Sequence, residues 1–120
     1  MIFKQKIRNK LFVAFGVLSA MTALYHFISI FYNLDLAPIW RHLVFVGVNL
    51  FCIFGFLKRP GYFVYFLAIL LVQQYYSHGS YMVSLWCQRG QIHWISVFDL
   101  LLLPVALICV IEDRKIKIVK

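Results

Sequence analysis

The chain alternates long apolar runs with short polar breaks. Apolar stretches at about 11–33, 38–57, 62–80 and 92–111 are separated by a polar turn at 33–37, by Lys58-Arg59-Pro60-Gly61 and by Gln88-Arg89-Gly90-Gln91. Twenty helical residues cover about 30 Å, the thickness of a bilayer's hydrocarbon core. The pattern therefore predicts an all-α polytopic membrane protein, with four transmembrane helices in an antiparallel up-down bundle and a single transmembrane domain over 1–120. The breaks are rich in turn residues and too short for a separate soluble domain.

The first run begins behind Lys4, Lys6, Arg8 and Lys10, as a signal peptide would. Ala20-Met21-Thr22 makes a poor cleavage site, and the apolar stretch outlasts the core of a typical signal, so it is expected to be retained as a span. Ser19, Thr22, His26, Ser29 and Asn33 recur on one face of it, a seam where helices approach closely and hydrogen-bond across the contact. Pro38 fits the first turn of the second helix, where a missing N–H costs nothing. His42, Asn49, Cys52 and Phe56 share a face there. Pro60-Gly61 suits the centre of a type II turn.

In the third run Gln74 and His78 stack four residues apart, with Ser77 and Tyr81 beside them. The helix either stops at Gly79 or runs on to Cys87 and projects from the bilayer. In the fourth, His93, Ser96 and Asp99 follow at spacings of three, and Pro104 is expected to kink the helix and free the carbonyl of Leu100. The end of the chain, from Glu112, is a charged tail.

Composition supports the membrane reading. Of 120 residues 63% are hydrophobic and 13% charged, where soluble domains carry about 25% charged residues; mean hydropathy is +0.85. A net charge of +8 would suggest nucleic acid in a soluble chain. Here the cations flank apolar runs, so no nucleic-acid partner is read from them. Ten lie at the N-terminus, the Lys58-Arg59 turn and the tail, against Arg41 and Arg89 on the other side, which places both termini in the cytoplasm and suits a bacterial inner membrane. Trp40, Trp86 and Trp94 then fall at the outer interface. Cys52, Cys87 and Cys109 have neither disulfide nor metal-ligand spacing.

The candidate chemistry lies in the outer half. His26, His42, His78 and His93 come from four different helices, with Asn49, Gln73, Gln74 and Asp99 just beneath them. Polar groups at membrane depth need a partner, a ligand or a water-filled cavity, so these eight define a candidate polar pocket. Histidines on facing helices suit a haem iron or a transition metal, and in architecture four short spans around histidines resemble small haem-bearing membrane anchors. Against a metal stands the lack of any local motif such as H-x-x-H, and a buried His–Asp pair that merely stabilises the bundle is the plainer account. Asp99, beside a helix-breaking proline, suits a proton- or cation-coupled transporter, although the apolar inner half gives a path no second end. An enzyme with His26 or His78 as base would need a nucleophile, and none stands in an evident motif. The expectation is a small binding or accessory component of a membrane complex, with lipids, a larger assembly or further copies of itself as partners.

Overall fold

The computed structural model describes residues 5–32, 34–35 and 37–119. Lys4, Asn33 and Lys120, used above for topology and for the seam of the first helix, lie outside them. Four helices follow in order: α1 (Gln5–Tyr32), α2 (Ile39–Lys58), α3 (Phe63–Arg89) and α4 (Trp94–Val119). α1, α2 and α4 are long and apolar enough to cross a membrane. α3 has the length, with 27 residues, but its second half holds Gln73, Gln74, Ser77 and His78 and is more polar.

Met1–Pro60 and Gly61–Lys120 form two compact units. In the first, α1 and α2 make an antiparallel hairpin. Phe12 and Phe15 pack on Phe56, with ring centroids 6.4 and 5.3 Å apart, and all three are buried. The hydroxyls of the predicted seam do not cross to the neighbouring helix: Thr22 donates to the Leu18 carbonyl at 2.9 Å and Ser29 to that of Tyr25 at 2.8 Å. A Ser or Thr in a helix reaches the carbonyl four residues back without leaving its own backbone, so the seam packs through small size, and among its described residues it is His26 that bonds across it.

The loops depart from expectation in two places. Pro38 is the N-cap of α2, in extended conformation at φ −68°, ψ 152°, one residue before the first helical turn. The Pro60-Gly61 corner is not a type II turn, because that turn needs positive φ at the glycine and Gly61 does not adopt it. Arg59 takes the left-handed position instead (φ 52°, ψ 53°), its N–H closing on the Gly55 carbonyl at 2.8 Å. Its guanidinium lies 4.7 Å from the Phe12 ring centroid and donates to Asn9 at 3.2 Å, contacts that offset a conformation glycine would adopt more cheaply.

The second unit pairs α3 with α4, also antiparallel, over Phe63, Val64 and Leu67 on one helix and Ala106, Cys109 and Val110 on the other, all buried. Gly79 does not stop α3. A single mid-helix glycine costs only about 1 kcal/mol, and the helix runs to Arg89, where Gly90 at φ 60° caps it through an N–H bond to the Trp86 carbonyl of 2.8 Å. The charged tail is helical too: Glu112–Lys115 and Asp113–Lys117 pair at 3.7 and 3.1 Å, acid before base as the helix dipole favours.

Candidate functional site

Each hairpin gathers two histidines and an aspartate. In the first, His26 on α1 faces His42 on α2 with the two Nδ1 atoms 3.0 Å apart. On its other side His42 meets Asp35 in the α1–α2 loop, Nε2 to Oδ1 at 3.1 Å. Asp35 is fixed from two further directions: the Tyr25 phenol donates to Oδ2 at 2.6 Å and the Ala37 N–H to Oδ1 at 2.9 Å. The second of these is an Asx turn, which orders the chain just before α2. Partial burial pushes the Asp35 carboxyl up, but the hydrogen bonds from Tyr25 and Ala37 and the neighbouring His42 outweigh it and hold the group below its ordinary value. Phe45 stacks on His26 at 5.3 Å, 22° from parallel, and Tyr25 meets the same imidazole edge-on at 5.3 Å. His42 is buried at 2% exposure.

In the second hairpin Ser96, fully buried in the first turn of α4, is the hub. Its Oγ lies 2.7 Å from Nδ1 of His78 and 2.7 Å from Nδ1 of His93. His78 turns its Nε2 toward Asp99 at 3.5 Å, and Tyr81 stands edge-on to His93 at 5.0 Å. The order is Asp99, His78, Ser96, His93, against Asp35, His42, His26 in the first hairpin.

The remaining predicted polar residues have local partners. Asn49 donates to the Phe45 carbonyl on its own helix at 2.8 Å. Gln74, buried, donates to its exposed neighbour Gln73 at 2.6 Å. Sequence reasoning missed Tyr25 and Asp35 and gave Ser96 no role. An Asx turn before Pro38 was the one local signal for Asp35, and nothing local points from it to His42, seven residues on. Two surface hollows, of about 360 and 460 Å³, are lined elsewhere, by Lys6, Asn9, Lys10 and Val13 and by Ala68, Ile69, Val72 and Gln73.

Chemically, each cluster is a polar chain that reaches a carboxylate, through a hydrogen bond to Asp35 in the first and an ion-pair contact with Asp99 in the second. Among the described residues no group of three or more His, Cys, Asp and Glu is placed to hold a metal ion. Metal–imidazole bonds of about 2.0–2.1 Å set two ligand nitrogens of a tetrahedral site about 3.3 Å apart; the 3.0 Å between His26 and His42 is a hydrogen-bond distance.

Fold and site together define an all-helical protein of two hairpins, three of its helices long and apolar enough to span a membrane. The chain matches no family model, no curated protein and no solved structure.

Proposed function

We propose that the chain is a four-span integral membrane protein with both termini in the cytoplasm, seated in a bacterial inner membrane, and that it serves as a non-catalytic binding or accessory component of a larger membrane assembly. The ten-to-two distribution of cations supports the orientation. As the remaining span, α3 offers 27 residues, about 40 Å of helix, with an apolar first half.

The observation that carries the binding role is the far end of α3. His78 and Tyr81 meet Ser96 in the first turn of α4 and His93, which lies one residue before that helix rather than in it, yet α3 continues through residues 82–89. That is about 12 Å more helix, with no second helix of its hairpin alongside. Val83 and Trp86 are 65% and 58% exposed there, and Cys87, Gln88 and Arg89 are exposed as well. Two turns of helix gain most of their stability from packing, and a bare tryptophan on them is the kind of anchor that binding surfaces use.

A photo-crosslinker in place of Val83 or Trp86 tests this in intact membranes. A discrete adduct with a distinct membrane protein is expected. Recovery of the crosslinker variants without adduct, together with repeated isolation of the full chain alone and monodisperse in mild detergent, overturns the reading; an adduct with a second copy replaces it by a homo-oligomer.

A second reading, proton- or cation-coupled transport through Asp99, draws on the chain from His93 through Ser96 and His78 to that carboxylate. Asp99→Asn in proteoliposomes decides it: flux at the wild-type rate excludes the role.

A further inference from the structure

We propose that the start of α1 is a binding site for one anionic phospholipid of the inner leaflet, whose phosphate sits between Lys6 and Lys10 and whose acyl chain lies along Val13, Val17 and Leu24. The proposal rests on the reading above that α1 spans the bilayer from a cytoplasmic N-terminus, and it adds the class of lipid and the residues that hold it.

The head of the site is a surface hollow of about 360 Å³ lined by Lys6, Asn9, Lys10 and Val13. Their spacing puts them on one helix face, and all four are exposed. Lysines four apart on a helix repel each other, and among the described residues no carboxylate pairs with either of these two. The only acid within residues 1–60 is Asp35, beyond the opposite end of α1. An anion seated between the two ammonium groups replaces their repulsion by two attractions. Asn9 adds a third donor. Arg59 donates to its Oδ1 at 3.2 Å, which leaves the NH₂ end of the amide to donate. Two ammonium groups and an amide N–H make a donor set suited to phosphate oxygens.

Depth agrees with this assignment. The apolar run begins at Leu11, so Lys10 and Lys6 stand about 1.5 and 7.5 Å of helix outside it, within a headgroup layer of about 5–7 Å on each side of the hydrocarbon. Val13, Val17 and Leu24 follow Lys6 at spacings of seven, eleven and eighteen, which returns each to the same face, and all three are exposed. From Val13 to Leu24 is about 16 Å of helix, the depth of one leaflet. Charge selects the headgroup. A choline or ethanolamine group would bring its own cation to an end of the hairpin that already holds Lys6, Lys10, Lys58 and Arg59, whereas a headgroup of net negative charge brings none.

The test is native mass spectrometry of the detergent-purified full chain, titrated with phosphatidylglycerol or with phosphatidylcholine of the same acyl chains. At about fivefold per lysine, phosphatidylglycerol should bind roughly thirtyfold more tightly. Lys6→Gln with Lys10→Gln should remove that preference, and Lys115→Gln with Lys117→Gln, an equal loss of charge on the second hairpin, should keep it. Equal binding of the two lipids by the wild type overturns the proposal. So does an equal loss of preference in both double variants, which would make it an effect of total charge, or displacement of the lipid by excess inorganic phosphate, which would show that the acyl chain contributes nothing. In detergent no leaflet is chosen, so these outcomes do not depend on which way the chain faces. Labelling of Cys87 from outside intact cells reports the orientation separately.

Discussion

The Tyr75 phenol donates to the Leu100 carbonyl at 2.7 Å, and Leu100 is the residue whose helical acceptor role is cancelled by Pro104, four positions on. A proline has no N–H to return to that carbonyl, and an orphan carbonyl in an apolar setting costs about 1–3 kcal/mol. α4 therefore runs unbroken through Pro104 with its open acceptor satisfied from α3. Tyr75→Phe should lower stability by about that amount. In a Pro104→Ala background, where the backbone bond is restored, the same change should cost much less. Thermal melts in detergent of the four members of this cycle measure the coupling, and equal costs in both backgrounds would show the bond to be idle.

Ser96 is fully buried and its hydroxyl sits between two imidazoles. Ser96→Ala removes the oxygen that both imidazoles share and leaves Nδ1 of His93 with the backbone N–H of residue 96, 3.4 Å away, so a loss of about 2 kcal/mol is expected. Chemical denaturation of the hairpin followed by tryptophan fluorescence reads it. Ser96→Thr keeps the hydroxyl and should fall between the two.

Arg59 combines left-handed backbone with two side-chain contacts. Arg59→Gly relieves about 1–2 kcal/mol of backbone cost and forfeits the cation–π contact and the exposed bond to Asn9, together of similar size, so its melting temperature should lie close to that of the wild type. Arg59→Ala keeps the strain and loses the contacts, and should melt clearly lower.

The Asp35 carboxyl titrates below its ordinary value of 3.8. A depressed acid stabilises the fold fully above the unfolded value, about pH 4, and the contribution fades as pH falls through the folded value. Wild-type melting temperature should therefore drop more steeply between about pH 5 and pH 3 than that of Asp35→Asn. Parallel curves would remove Asp35 from the acid response.

Cys52 and Cys109 are buried while Cys87 is exposed at the projecting end of α3. A membrane-impermeant maleimide added to intact cells should label Cys87 alone, and labelling only after lysis would invert the proposed orientation.

Hydropathy by itself determined the helical class, the number of helices and their approximate centres, because a run of about twenty apolar residues has few other folded solutions. It also marked the open carbonyl at Leu100, since a proline's missing donor is written in the chain. Helix ends were less legible. Gly79 left open whether the third helix stops there or runs on to Cys87, and Glu112 opened a charged tail; α3 and α4 continue through both, on a tolerated glycine and on i,i+3 and i,i+4 ion pairs. Which side chains meet was decided only by tertiary structure. The approach of His26 to His42, of His42 to Asp35 and of Ser96 to two imidazoles depends on the rotation and axial offset of two packed helices, and spacing along one helix carries no record of the angle at which its neighbour faces it. The sequence offered four histidines as one set; the packing of each hairpin joined His26 with His42 and linked His78 to His93 through Ser96, and gave each pair its aspartate.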